Sequence, residues 1–471
     1  MEFCSTNTSQ FLIFLMFIKI LNKNIGNKTI SPSKILIICL NKNMEINQII
    51  ISLYIINNII NIDMSKTNKL AIFGGPKTRK VPMPARHALG KLEINFIKKA
   101  INFYKDKGED PPYQGIFEEK FCHEFVKFMG SKGYADAVSS GCASLYVGLA
   151  SLNLKKGSEI LLSPVTCSSD LSVILLQGFR PILVDSKKNS YNTSLEEIKK
   201  KITKKTKAAM ITHAAGEPVE DILRIAKFLK QKKIYLIEDC SQAHGAYPKN
   251  SKIKVGNYGD ISGFSMMYRK NIAMGGNGGM VFTRNKKLHY LAMRHADRGA
   301  PVWLKKKLNL KDPGIAKFPA LNFNTNDISC ATGLAQLQRI KDTISKRKKF
   351  IKQLNKKIFK FSKACVPYNF HEGFSPFYYP IFVKKKLIKC SVDKFAEAIQ
   401  AEGIGVGIKY GCLPITWKWA KKYFKGQKTI NAINTRNNCF HLYVNEKYTK
   451  REVDEVIKAI LKVENYYLKQ I

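Results

Sequence analysis

Residues 263–271, Gly263-Phe264-Ser265-Met266-Met267-Tyr268-Arg269-Lys270-Asn271, run through Ile272-Ala273-Met274 into Gly275-Gly276-Asn277-Gly278-Gly279. Just upstream, Asp260-Ile261-Ser262-Gly263-Phe264 has the character of a short strand that delivers a hydroxyl and then a lysine into a loop. Four of the five residues at 275–279 are glycine. Glycine there lets the backbone take φ > 0 and lets a ligand approach with no Cβ in the way. A lysine between a buried strand end and such a turn suits Schiff-base chemistry, because desolvation lowers its pKa and frees the amine. The alternative for Lys270, from residue type alone, is a solvated surface lysine, since lysine is seldom buried.

Outward from this loop the pattern is α/β. Short apolar runs at Glu159–Leu162, Pro181–Val184, Ala208–Thr212 and Ile234–Ile237 read as strands, with helical segments at Leu195–Ile202 and Val219–Gln231 between them. Ala137-Val138-Ser139-Ser140-Gly141 is a strand running into a turn, and Ala143–Leu152 a helix rich in small residues. Upstream, Leu92–Tyr104 and Phe117–Met129 carry apolar residues at helical spacing. Buried apolar strands alternating with helices predict a mostly parallel sheet covered on both faces. Ligands of such sheets sit at the carboxyl ends of strands, which selects Gly141, Thr166, His213, Asp239 and Ser265.

From about Lys311 the texture changes. A loop at Leu321–Asp327 leads to a long helix from Ile328 to about Leu354, with Asn326 or Asp327 as its cap. A strand (Tyr378–Val383), a helix (Val392–Glu402) and a terminal helix (Lys450–Tyr467) follow. We expect residues 64–310 to form a large α/β domain with an N-terminal arm, and residues 311–471 a smaller α+β domain.

Two more stretches carry chemistry. In Ile237-Glu238-Asp239-Cys240-Ser241-Gln242-Ala243-His244-Gly245, Asp239 follows an apolar strand, where a buried carboxylate needs a cationic partner. A protonated pyridine nitrogen is one, and an acid beside it keeps the ring an electron sink. A helix-capping aspartate would look the same in sequence. Ser139-Ser140-Gly141-Cys142-Ala143-Ser144-Leu145 is a glycine turn opening a helix, suited to a phosphate through free N–H groups and the positive dipole end, or simply a tight turn. Taken in order, a helix-opening turn, an acid about a hundred residues on, and a serine and lysine about thirty later make the layout of a pyridoxal-phosphate enzyme.

With these motifs in this order, the chain from Leu70 to about residue 465 resembles the DegT/DnrJ/EryC1/StrS aminotransferases, the sugar aminotransferases of the fold-type I pyridoxal-phosphate class. The resemblance also rests on His213-Ala214-Ala215-Gly216, Gly276-Asn277-Gly278-Gly279, and Asn322-Phe323 before Asp327-Ile328. It implies an α/β fold-type I transferase, with a mostly parallel seven-stranded-type sheet in the large domain and a smaller C-terminal α+β domain. It implies Lys270 as the Schiff-base lysine and proton shuttle, Asp239 on the pyridinium nitrogen, and Gln242 beside the ring near its phenolic oxygen. Ser265 and the backbone at Gly141, Cys142 and Ala143 would hold the phosphate. Asn322 resembles the family asparagine that reaches the phosphate of a neighbouring subunit, which implies a homodimer with shared active sites. His213 and His244 fall in family motifs as structural rather than catalytic groups, and no metal is implied.

The implied activity is transfer of an amino group from glutamate or glutamine to a keto-sugar, nucleotide-linked in the preferred case, for polysaccharide or secondary-metabolite biosynthesis. An inosose-type cyclitol aminotransferase and a catalytically silent binding or regulatory relative are the alternatives. Several positions depart from the family pattern. Cys142 stands where a threonine is common, Cys167 where an aromatic residue stacks on the ring, and Asn324 where an arginine is usual. Met266-Met267-Tyr268-Arg269 replaces a Phe/Pro-containing run. Related dehydratases carry histidine at the Schiff-base position, and Lys270 argues against that branch.

The chain's 471 residues carry a formal charge of +44, and 67 of the 79 basic residues are Lys, the other 12 being Arg. They are scattered in groups such as Lys199-Lys200-Lys201 and Lys305-Lys306-Lys307. Specific nucleic-acid recognition tends to favour arginine forks, so we read the charge as solvated faces whose field attracts phosphorylated substrates. Eleven cysteines without a C-x-x-C pair indicate neither a zinc site nor a disulfide framework, and read as free thiols in the cytoplasm. Residues 1–63, rich in Ile and Asn, are expected outside the fold, with a true start at Met64. The apolar runs Phe11–Ile18 and Ile49–Ile60 fall short of the ~20 residues that span a bilayer, so no membrane partner is expected.

Overall fold

The computed structural model describes residues 69–300, 309 and 311–469, so the expectation for residues 1–63 falls outside the described residues. Helices α1 (Lys91–Lys107) and α2 (Ile116–Met129) lead into β1 (Tyr134–Val138) and α3 (Gly141–Ala150). Then come β2 (Glu159–Leu162), α4 (Ser168–Leu176), β3 (Arg180–Leu183), α5 (Leu195–Lys199), β4 (Thr206–Thr212), α6 (Ile222–Gln231) and β5 (Tyr235–Asp239). β6 (Ile261–Ser265), β7 (Gly279–Thr283) and α7 (Lys286–Ala296) complete this part. The seven strands form one sheet in the order β1-β7-β6-β5-β4-β2-β3.

The sheet is mostly parallel, as expected. Pairs β2/β3, β2/β4, β4/β5 and β5/β6 are parallel, and only β7 runs against its neighbours β6 and β1. Side chains alternate between its two faces. Ile160, Leu162, Met210 and Ile237 pack with α3, α4 and α7, whereas Leu161, Ile211 and Leu236 pack with α6. Burial of both faces explains why β2 reads as an unbroken apolar run. The parallel direction brings the ends of β2, β4, β5 and β6 to one edge, with Thr212, Asp239 and Ser265 on it.

Strand β7 was not expected, because Gly278-Gly279 reads as loop. Its reversed direction puts Gly279, its first residue, at that same edge, paired with Val138. A Cβ at Gly279 would meet the Ser140 carbonyl oxygen at 2.2 Å, so glycine is needed for the strand to pass the start of α3.

The long helix α8 (Asp327–Phe361) extends seven residues past the expected end, to Ser362 as its C-cap. Asn326 is its N-cap, its Oδ1 accepting from Ser329 N at 2.9 Å. Asp327 instead caps α2, accepting from the amides of Phe117 at 3.0 Å and Glu118 at 2.8 Å. Strands β8 (Cys365–Pro367), β9 (Tyr378–Val383), β10 (Val406–Gly407) and β11 (Cys439–Tyr443) form an antiparallel sheet in the order β10-β11-β9-β8. Helices α9 (Val392–Ala401), α10 (Ile430–Asn437) and α11 (Lys450–Tyr467) accompany it, and Phe395, Phe440, Val453 and Ile460 fill its core. Among the described residues, no helix is long and apolar enough to cross a membrane.

Gly279→Ala should cost about 1–3 kcal/mol, because the methyl group meets backbone that cannot yield. Gly276→Ala, where nothing lies within 4 Å of the added carbon, should be nearly neutral. Denaturant midpoints of the two variants test the contrast.

Candidate active site

Lys270 lies in the loop between β6 and β7, and its side chain turns inward. Only 9% of the residue is exposed, and its Nζ lies 4.4 Å from the centre of the Phe377 ring. The amine makes no ion pair among the described residues. Burial lowers its pKa, against the opposing pull of Asp239, Cys167, Cys412 and Asp170. The result is a primary amine readier to lose its proton than an ordinary lysine.

The loop is fixed from its backbone side by a buried cationic clamp. Arg86 donates to the carbonyl oxygens of Tyr268 and Asn271, both at 3.0 Å, and to that of Lys270. Arg347 donates from Nη1 to Asn271 Oδ1 at 2.6 Å. Glu446 joins the two, accepting from Arg86 Nε at 3.0 Å and from Arg347 Nη2 at 2.8 Å. Burial works against ionisation of Glu446, but Arg347 and Arg86 outweigh it and bring its pKa down to about 2. These partners lie far apart in sequence, and no local pattern announces them.

Asp239 ends β5, 2% exposed, with Oδ1 accepting from Ser241 N at 2.9 Å. Gln242 is held at both ends: Oε1 accepts from Ala215 N at 2.8 Å, and Nε2 donates to Tyr410 Oη at 3.1 Å. Ser265 ends β6 directly against the start of α3, since a Cβ at Gly141 would lie 2.5 Å from Ser265 Cβ. Ser140 Oγ accepts from Ala143 N at 3.0 Å, and Ser140 O accepts from Ser144 N at 3.0 Å. The amides of Gly141 and Cys142 are the first-turn donors left over, and Cys142 itself is exposed. A free helix end, a hydroxyl beside it, a buried acid and a buried amine fit pyridoxal phosphate: an anion, a ring nitrogen and an aldehyde each find a suitable group.

Asn322 stands apart. Its side chain is exposed and accepts from Asn324 N and Nδ2 at 3.0 and 2.9 Å, and no bond among the described residues joins it to the Lys270 group. His213 accepts from Val219 N at its Nδ1, 2.9 Å away, so its Nε2–H faces Glu238 Oε2 at 3.0 Å. Glu238 also accepts from the amides of Gly256, Tyr258 and Gly259, which makes this pair a fastening for the loop before β6. His244 is fully buried, and burial with the nearby charge of Lys270 pushes its pKa down to about 3, so it stays neutral. A cavity of about 1080 Å³ lies elsewhere, between α2 and α8, and none of these residues but Gly245 lines it.

Because folded Glu446 keeps its charge down to about pH 2, its contribution is full above the range in which an unfolded glutamate titrates. It is lost as pH falls from that range through about 2. Glu446→Ala should therefore destabilise the protein at pH 7 by about 3–5 kcal/mol, since the buried Arg347 and the half-buried Arg86 lose their partner. Urea midpoints should show the deficit shrinking as the pH is lowered toward 2.

Comparison with known proteins agrees with this geometry. The DegT/DnrJ/EryC1/StrS aminotransferase family matches residues 108–461. GDP-perosamine synthase of Escherichia coli O157:H7 is 33% identical over 244 residues, 52% of this chain and 63% of its own length. Among solved structures, PseC of Helicobacter pylori, an aminotransferase of pseudaminic acid biosynthesis, superposes with a TM-score of 0.72 at 23% identity, covering 82% of this chain and all of that one. A GDP-4-keto-6-deoxymannose-3-dehydratase holding a trapped PLP-glutamate geminal diamine superposes at 0.71 with 24% identity, covering 81% of this chain and all of that one. These two likenesses establish the shared fold. The family match covers most of the chain, which therefore belongs to the DegT/DnrJ/EryC1/StrS aminotransferase family, a family of pyridoxal-phosphate-dependent enzymes.

Proposed function

We propose that this aminotransferase moves an amino group from glutamate or glutamine to a nucleotide-linked keto-sugar, and that Lys270 carries the chemistry. The observation that supports this most is the buried Lys270 amine, without an ion-pair partner among the described residues, in the loop that leaves the sheet edge carrying Asp239 and the open end of α3. GDP-perosamine synthase, a relative at 33% identity, supports the sugar.

When bound, pyridoxal phosphate supplies an electron sink for the charge left as a proton leaves the carbon bearing the amino group. Ser265 Oγ and the amides of Gly141 and Cys142 hold the phosphate, with the Ala143 amide on the same turn shared with Ser140. The buried Asp239 carboxyl would pair with the ring nitrogen. Gln242, its amide fixed by Ala215 and Tyr410, lies along the ring near its phenolic oxygen. Lys270 would hold the cofactor through its aldehyde, and its Nζ, an amine whose pKa burial has lowered, would accept and return the proton of the donor's amino-bearing carbon. The sugar ketone would be the acceptor of that amino group. The clamp of Arg86, Arg347 and Glu446 keeps the loop carrying the amine in place throughout.

Asn322, exposed and outside the Lys270 group, is read as reaching into a neighbouring copy, which gives a homodimer with shared sites. The division into a large domain up to residue 310 and a small one from 311 is part of this proposal; one sheet lies on each side of it, while Cys330, Ala331, Leu334 and Ile340 of α8 pack in the core of the large sheet. The free cysteines among the described residues support a reducing, cytoplasmic setting, and polysaccharide or secondary-metabolite assembly is the proposed outlet.

An amino-transfer assay with glutamate and glutamine against a panel of nucleotide-linked keto-sugars and keto-cyclitols tests the proposal. Product from a nucleotide-linked ketone is expected, and turnover of cyclitols alone would contradict the substrate. Lys270→Ala should abolish transfer while the far-ultraviolet circular dichroism stays unchanged. Asp239→Asn should lower the rate by about 10²-fold or more, as the ring nitrogen loses its charge partner.

A further inference from the structure

Behind the Lys270 site lies a second buried acid that the mechanism above leaves unused. Asp170 sits in the first turn of α4, three residues after Cys167, on a helix whose other buried residues are Leu171, Val173 and Ile174. It is fully buried and makes no ion pair among the described residues. Its contacts are hydroxyls: Ser169 Oγ lies 3.1 Å from Oδ1, and Thr212 Oγ1 lies 3.3 Å from Oδ2 and 2.9 Å from Thr166 Oγ1. Thr212 ends β4 directly opposite Asp239 at the end of β5. Two carboxyl groups thus meet at one sheet edge from neighbouring elements.

The charge balance of this pocket decides how they are protonated. The ionisable groups facing Asp170 are Asp239 on β5, Cys167 at the start of its own helix, Cys142 on α3, Cys412 after β10, and Lys270. Only Lys270 among them is able to carry positive charge. Two ionised carboxylates in so dry a pocket would repel without an adequate counter-charge. Burial, and after it the charge of Asp239, hold the Asp170 carboxyl well above the usual carboxylate range. The hydroxyls pull the other way, since Ser169 donates to Oδ1 and Thr212 to Oδ2, but burial and the charge of Asp239 outweigh hydroxyl contacts of this kind, and no cation is bonded to the acid among the described residues.

We propose, on the cofactor assignment made above, that Asp170 is a positioning residue for the cofactor ring: a neutral carboxylic acid that stands behind Asp239 and leaves the pair with one negative charge, matched to one protonated ring nitrogen. Asp170 then backs Asp239 through Thr212, which bonds Asp170 and is the strand neighbour of Asp239. Nothing in the Thr166-Cys167-Ser168-Ser169-Asp170 stretch marks this role except an acid among the apolar residues of a helix.

Infrared difference spectra of the full-length holoenzyme, wild type against Asp170→Asn, test the protonation. A protonated-carboxyl band that persists through neutral pH and vanishes in the variant is expected. Retention of pyridoxal phosphate on dialysis tests the positioning. Asp170→Asn, neutral and of similar shape, should hold the cofactor about tenfold more tightly than Asp170→Ala, which strands the buried Thr212 and Ser169 hydroxyls. Absence of the band, or equal loss of cofactor from the two variants, would overturn the proposal. Wild-type protein that takes up no pyridoxal phosphate would overturn the cofactor assignment and this inference together, and is told apart because the wild type itself fails.

Discussion

A primary amine, that of Lys270, kept out of water with no salt-bridge partner among the described residues is the constraint on which this site depends. Lysine amines are strongly hydrated, and hiding one is costly unless the protein needs its uncharged form. The fold meets that need through direction. Parallel strands β4, β5 and β6 end together, so their terminal residues Thr212, Asp239 and Ser265 share an edge. Reversed β7 brings Gly279 back against Ser140 and Gly141, so that the lysine loop closes over the end of α3. The start of α3, the acid and the amine are thereby drawn together from three parts of the chain.

Two sets of charges flank that amine and do different work. On the outer side, Arg86 and Arg347 grip the loop through its carbonyl groups and Asn271, with Glu446 neutralising both. Arg86 and Arg347 are engaged by backbone carbonyls, Asn271 and Glu446, which leaves Lys270 as the pocket's titratable cation among the described residues. On the inner side stand Asp239 and Asp170, and with one of them neutral the pocket offers one negative charge to an incoming ring. One such acid is matched to a ring with one protonated nitrogen, the electronic state that transamination requires.

Much of this was legible in sequence where the signal is local. The runs that became β2, β4 and β5 are apolar because both faces of the sheet are covered, and the rule that ligands sit at strand ends picked out Asp239 and Ser265 before any contact was known. Asp239 is buried as a partnered acid would be, and the His213–Glu238 pair is structural. What escaped was non-local or disguised. β7 begins in glycines that read as loop, yet only glycine passes Ser140. The clamp joins residues from 76 to 360 positions apart, a distance no periodicity spans. Asp170 was hidden because one acid in a helix normally lies on its wet side, and here it faces Asp239. The helix cap left open between two residues is settled as Asn326, since Asp327 is already committed to α2.

The central claim is that the Lys270 amine forms the covalent link to the cofactor. Reduction of the purified holoenzyme with borohydride, followed by proteolysis and mass spectrometry, tests it most directly. The account predicts a pyridoxyl group on the peptide carrying Lys270 and on no other lysine, despite the 67 present in the chain. A label on any other residue, or none at all on protein that has taken up pyridoxal phosphate, would contradict it.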